Sequence, residues 1–325
     1  MAHDININKK TGKAAYFGVE PAWHGLGQVL GKSATAEQAI ELAQLDWGVK
    51  KVPTFFKIGH NQTICEGKHA VIRTDTNQYL GTVGDSYEPL QNKDAFGFFD
   101  ALVNDDEAIY HTAGALGDGQ RVWVLAKMPD YIRVGKSDDI IEKYVLLYNS
   151  HNGSSGVVAC VTPIRVVCNN TLTAALTGTQ HKISIRHTKN VKDNLAEAHK
   201  VLNITNIYSE QMQEIFTQMA DTKVNTAKVQ TYLESLYPSN EDLNYKTQGD
   251  KIKDSILATF EGGGVGQDLI TTKGTVFGLY NAVTYYTDHE KEYKGGDSAK
   301  LKSIWFGGSS KIRQKAFDVA VEMLN

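Results

Sequence analysis

Cysteine, long apolar runs and an excess of charge of either sign are what this chain lacks. Its three cysteines, Cys65, Cys160 and Cys168, are widely spaced and include no C-x-x-C pair. That pattern argues against a disulfide framework and a structural zinc site, and it implies reduced thiols in a cytoplasmic protein. No stretch approaches the roughly 18 apolar residues that span a bilayer. Residues 1–6, Met-Ala-His-Asp-Ile-Asn, lack the apolar core of a secretory signal. A net charge of −3 over 325 residues excludes a cationic whole, so any nucleic-acid partner must be held by a local basic patch. The ten histidines include no His-x-x-x-His pair, and no metal, cofactor or catalytic residue is expected.

What is present is an ordinary globular composition, 41% hydrophobic and 22% charged. Hydrophobic patterning predicts an α+β protein. A strand-rich body over 1–189 precedes a mainly helical region over 190–325 that packs on it, the two forming either separate domains or one composite domain. Strands are expected at 49–58, 70–74, 79–83, 108–113, 121–127, 143–149, 157–162 and 164–167, and helices at 35–43, 92–103 and 171–176. Beyond 190, helices are expected at 191–202, 204–219, 223–236, 250–260, 275–286 and 310–324, with 289–302 an exposed loop.

Several constellations fall short of a chemistry. Gly27-Gln28-Val29-Leu30-Gly31-Lys32-Ser33 has three residues between its glycines where a phosphate-wrapping P-loop needs four. The cluster Gly262, Gly263, Gly264 and Gly266 reads as a helix end and linker, with close approach of a phosphate as the alternative. Cys168 precedes an expected helix start, but no histidine is near it in sequence. Asp221-Thr222-Lys223 and Glu292-Tyr293-Lys294 carry the Asp/Glu-x-Lys spacing of metal-dependent nucleases, yet fall in an expected helix and loop.

The basic set carries more. Arg165 lies within an apolar strand and turn, Thr162-Pro163-Ile164-Arg165-Val166-Val167-Cys168-Asn169-Asn170-Thr171-Leu172. In 182–186 the alternation places Lys182, Ser184 and Arg186 on one face and Ile183 and Ile185 on the other, with His181 and His187 on the apolar side. Lys189 and Lys192 follow at a helix start capped by Asn190, whose partial positive charge suits an anion. Arg165, Lys182, Arg186, Lys189 and Lys192 are therefore expected to line one cationic groove for backbone phosphates. The same residues read equally as a solvated charged strand with Arg165 in an internal salt bridge.

Three segments carry a family resemblance: Trp23-His24-Gly25-Leu26-Gly27, residues 162–172 quoted above, and Thr275-Val276-Phe277-Gly278-Leu279-Tyr280-Asn281-Ala282-Val283-Thr284. Together they resemble the phage/plasmid-like protein family that carries domain of unknown function 932. The resemblance implies a protein of mobile elements and supplies no chemistry. The strand-strand-strand-helix order is also similar to the core of single-strand annealing proteins, which implies ring-forming multimers holding single-stranded DNA in a basic groove. The expectation is a non-enzymatic protein that binds single-stranded DNA or RNA and supports annealing or recombination without nucleotide hydrolysis. It is also expected to be a homo-oligomer, with apolar residues of 275–286 packing either in the intrachain core or between subunits. A metal-dependent nuclease and a binder of a host or defence protein are the alternatives.

Overall fold

The computed structural model describes residues 6–7, 11–19, 28–31, 34–97, 109–168, 170–171, 182–197, 200–239 and 246–324. Its strands are β1 (Tyr16–Gly18), β2 (Gln28–Val29), β3 (Val49–Ile58), β4 (Asn61–Arg73), β5 (Tyr79–Val83), β6 (Ile109–Leu116), β7 (Arg121–Arg133), β8 (Ile140–Ser150), β9 (Val157–Arg165), β10 (Asn170–Thr171) and β11 (Lys182–Ile185). The helices are α1 (Ala36–Leu42), α2 (92–97), α3 (Val191–Glu197), α4 (Lys200–Asp221), α5 (Thr226–Leu236), α6 (Gln248–Ala258), α7 (Val276–Tyr285), α8 (Gly296–Phe306) and α9 (Gly308–Glu322).

Two sheets form the strand-rich half. The larger runs β10-β9-β8-β7-β6-β1-β2, with β11 also paired to β9, and the smaller is β3-β4-β5. Every pairing is antiparallel except β1 with β2. Alternation along the long strands sends side chains to two buried faces. On one face Val122, Val124, Ala126, Val145, Leu147, Val157 and Ala159 pack with α1, α2 and the smaller sheet. On the other, Trp123, Leu125, Tyr144, Leu146 and Tyr148 pack, and Leu301 and Trp305 of α8 close over them. A third core joins Ile132, Val134, Ile141 and Val161 at one end of the strands to Phe216, Phe277, Tyr280 and Phe317 of the helices. Sheet and helical half thus share a core.

Local chemistry explains where the helices begin. Thr35 caps α1 in a reciprocal box with Gln38, and Thr247 does the same for α6 with Asp250. Asn225 and Thr275 cap α5 and α7 by accepting from the amides of Lys228 and Gly278.

Two expectations need correction. The segment after Arg165 does not run straight into a helix: 166–168 is a turn, and Asn170–Thr171 pairs antiparallel with Ile164 and Arg165. The expected helix over 171–176 otherwise lies outside the described residues. The expected loop 289–302 contains residues 296–302, more than half of α8, whose Leu301 packs on the sheet. Of the two uses open to the apolar residues of 275–286, the intrachain core is the one found, because Val276 through Thr284 are all buried within the chain.

Candidate nucleic-acid interface

The basic strand forms where its alternation placed it. β11 adds to the edge of β9 with Lys182 opposite Cys160 and Ile185 opposite Val157. Ile185 is buried and Ser184 exposed, while Ile183 packs on the core from a half-buried position. The parity therefore holds through Arg186, which is exposed. The side chain of Lys182 lies outside the described residues, as does His181.

His187 anchors the loop that follows. It is buried, stacks on Tyr87 with centroids 4.5 Å apart, and its Nδ1–H donates to the Glu88 carbonyl at 3.2 Å. The Glu88 amide returns a bond of 3.0 Å to the His187 carbonyl. Arg186 and Lys189 are held outward on either side of this anchor, and neither makes an ion pair with a described residue. Lys192 is also exposed, but it pairs with Asp94 at 3.0 Å.

Arg165 does not belong to this surface. It is fully buried, and its Nε and Nη2 form a bidentate pair with Asp139 at 2.8 and 2.6 Å. Nη2 also donates to the Gly266 carbonyl at 3.1 Å, and the guanidinium lies 5.3 Å from the Phe277 ring centre. A side chain so enclosed cannot meet a phosphate, so the five-residue groove is corrected to a smaller set. The sequence could not separate an arginine facing solvent from one facing Asp139, 26 residues away.

Other candidates resolve in the same way. Cys168 is buried, with Arg165 Nη1 3.7 Å from its sulfur, and His289 Nε2 meets its carbonyl at 3.1 Å. Burial lowers the His289 pKa against the opposing pull of the Asp288 carboxylate. In the glycine cluster, Gly262 and Gly266 adopt φ of 118° and 73°, and a Cβ on Gly266 would fall 2.7 Å from Val167. That close approach serves Arg165 rather than an external phosphate. Asp221 ends α4 and Glu292 precedes α8; among the described residues no three His, Cys, Asp or Glu side chains group to hold a metal. The Trp23–Gly27 segment lies outside the described residues.

The β3–β4 hairpin is the basic element that sequence reasoning missed. It carries Lys50, Lys51, Lys57, Lys68 and Arg73 against a single acid, Glu66. A two-residue Gly59-His60 turn between a Phe-Phe-Lys-Ile run and Asn61 was the available signal. The hairpin root adjoins the basic loop: Lys51 Nζ donates to the carbonyls of Asp85 and Tyr87 at 2.7 and 2.9 Å, and Tyr87 and Glu88 hold His187. Lys50 and Lys68 are exposed near that root.

One family model matches the chain over residues 79–305, from the start of β5 almost to the end of α8. It takes in the basic loop and leaves out the β3–β4 hairpin. No curated protein sequence and no solved structure matches.

Proposed function

Because the chain belongs to the family described as Domain of unknown function (DUF932), whose description carries no chemistry, we propose a function from its own residues: non-enzymatic binding of single-stranded nucleic acid. The carrying observation is the pair Arg186 and Lys189, exposed and without an ion-pair partner among the described residues, on a loop pinned by the buried His187. Two fixed cations on a rigid support meet successive phosphates at little entropic cost. Lys182 enters through the parity of β11 alone. Lys192, paired with Asp94, adds less.

Phosphate contacts leave the base edges free to pair. That is what annealing or recombination support in a phage or plasmid setting requires, and it needs no nucleotide hydrolysis. The test is anisotropy of labelled single strands of unrelated sequence with the purified chain at two salt concentrations. Salt-sensitive binding without cleavage in magnesium or manganese is expected. Absence of binding at low salt would sink the proposal, and cleavage lost on neutralising Asp221 or Glu292 would replace it with a nuclease.

A further inference from the structure

Among the described residues nothing covers the outer half of the β3–β4 hairpin. Beyond the register shift at Pro53/Phe55, the pairs Phe55–Ile64, Phe56–Thr63, Lys57–Gln62 and Ile58–Asn61 close on the Gly59-His60 turn. Pleating puts Phe55 and Ile64 on one face and Phe56 and Ile58 on the other. All four stay exposed, from 45% for Phe56 to 73% for Ile58. β3 is also an outer strand of its sheet, and among the described residues no strand pairs with its far edge, which Gln91 meets at Val49. A bare two-stranded ribbon is marginal in water, and an apolar open edge invites a partner.

A matching surface lies elsewhere on the chain. The turn after β9 exposes Val166 and Val167, and the loop before α7 exposes Val265 and Ile270, the last at 83%. The turn and the loop meet at Gly266, next to Val265 in the chain, where a Cβ would fall 2.7 Å from Val167 Cγ1. Exposed Glu261 and Asp268 flank this patch, and neither makes an ion pair with a described residue. The hairpin tip offers apolar residues with Lys57; the patch offers apolar residues with carboxylates.

The two surfaces sit at opposite ends of the long strands. At one end of β8, Tyr87 donates to the Ser150 carbonyl, and Gly81 of the small sheet abuts Asn152. At the other, the Val166 amide bonds the Ile140 carbonyl. β8 between them has 11 residues, roughly 35 Å of strand. An arm rooted at one end does not fold back onto the other.

We propose that the hairpin tip of one copy of this chain docks into the Val166–Val167–Val265–Ile270 patch of a second copy. The contact is head-to-tail, so each added copy leaves one arm and one patch free, and the assembly grows into a closed ring or an open filament. It is independent of nucleic acid and uses neither Arg186 nor Lys189.

The experiment is sedimentation of full-length chains carrying Ile58→Asp, Ile270→Asp or neither. Both sites are exposed, so thermal midpoints should match wild type and exclude misfolding. Wild type is expected to form multimers at tens of micromolar, roughly the range of a modest interface. Each variant alone should need on the order of 30-fold more protein to associate. A one-to-one mixture of the variants should stop at a dimer, because it contains one intact arm and one intact patch. Wild type that stays monomeric, variants that assemble normally, or a mixture without dimer would each overturn the proposal.

Discussion

At the scale of single residues, the chain buries charge where its two halves meet. Arg165 and Asp139 are both enclosed, and the carboxylate also accepts from Thr271 Oγ1 at 2.6 Å. Strand β9, the turn before β8 and the loop before α7 are thereby tied by one ion pair. Asp139→Asn should leave the guanidinium uncompensated and cost about 3–5 kcal/mol in urea unfolding. The folded fraction should bind single strands as wild type does, because Arg165 touches no ligand. A loss under 1 kcal/mol would contradict this role.

His151 and His187 make the second residue-scale statement. Both are buried, and each leaves one ring nitrogen, Nδ1 and Nε2 respectively, without a hydrogen bond to a described residue. Burial pushes their pKa values down from 6.5, to about 3 for His151 and about 4 for His187. Below pH 6.5 the unfolded chain takes up protons that the folded chain refuses. Stability therefore falls with pH from 6.5 and levels only where the folded rings themselves protonate, near 4 and then 3. Each ring contributes at most about 1.4 kcal/mol per pH unit in that window. The pH 6.5–5 range lies above carboxylate titration, so His187→Gln should flatten the dependence of unfolding free energy on pH there. An unchanged slope would show that His187 is not held neutral.

Among the elements, α7 is the most tightly fitted. It packs so closely on the loop before it that a Cβ on Gly278 would lie 1.9 Å from the Thr272 carbonyl oxygen. Gly278→Ala should lower stability by about 3 kcal/mol, read as a shifted unfolding midpoint. A neutral effect would mean that the loop gives way.

Most elements were legible because periodicity and caps are local. β3 and β5 match their expected spans, and α5, α6, α7 and α9 lie within a few residues of theirs. The misses have nonlocal causes. α8 forms from a Lys- and Gly-rich segment because Leu301 and Trp305 find the sheet. β4 extends far beyond residues 70–74 because its outer part pairs with β3 rather than with a core. Of the expected basic set, the parity of β11 was readable, whereas the ion pairs of Arg165 and Lys192 depend on Asp139 and Asp94 being brought close by the fold.

For the molecule as a whole, charge is distributed unevenly. A chain of net charge −3 gathers five basic residues on one hairpin and sets Arg186 and Lys189 beside its root. Among the described residues no helix is long and apolar enough to cross a membrane. The central claim, that this basic end holds single-stranded nucleic acid by its phosphates, is tested most directly by the salt dependence of binding in Arg186→Ala/Lys189→Ala. If both residues contact phosphates, affinity should drop for unrelated sequences alike. The slope of log affinity against log salt should also flatten by about 1.4, roughly 0.7 for each lost contact on single strands. A double variant with the affinity and slope of wild type would contradict the account.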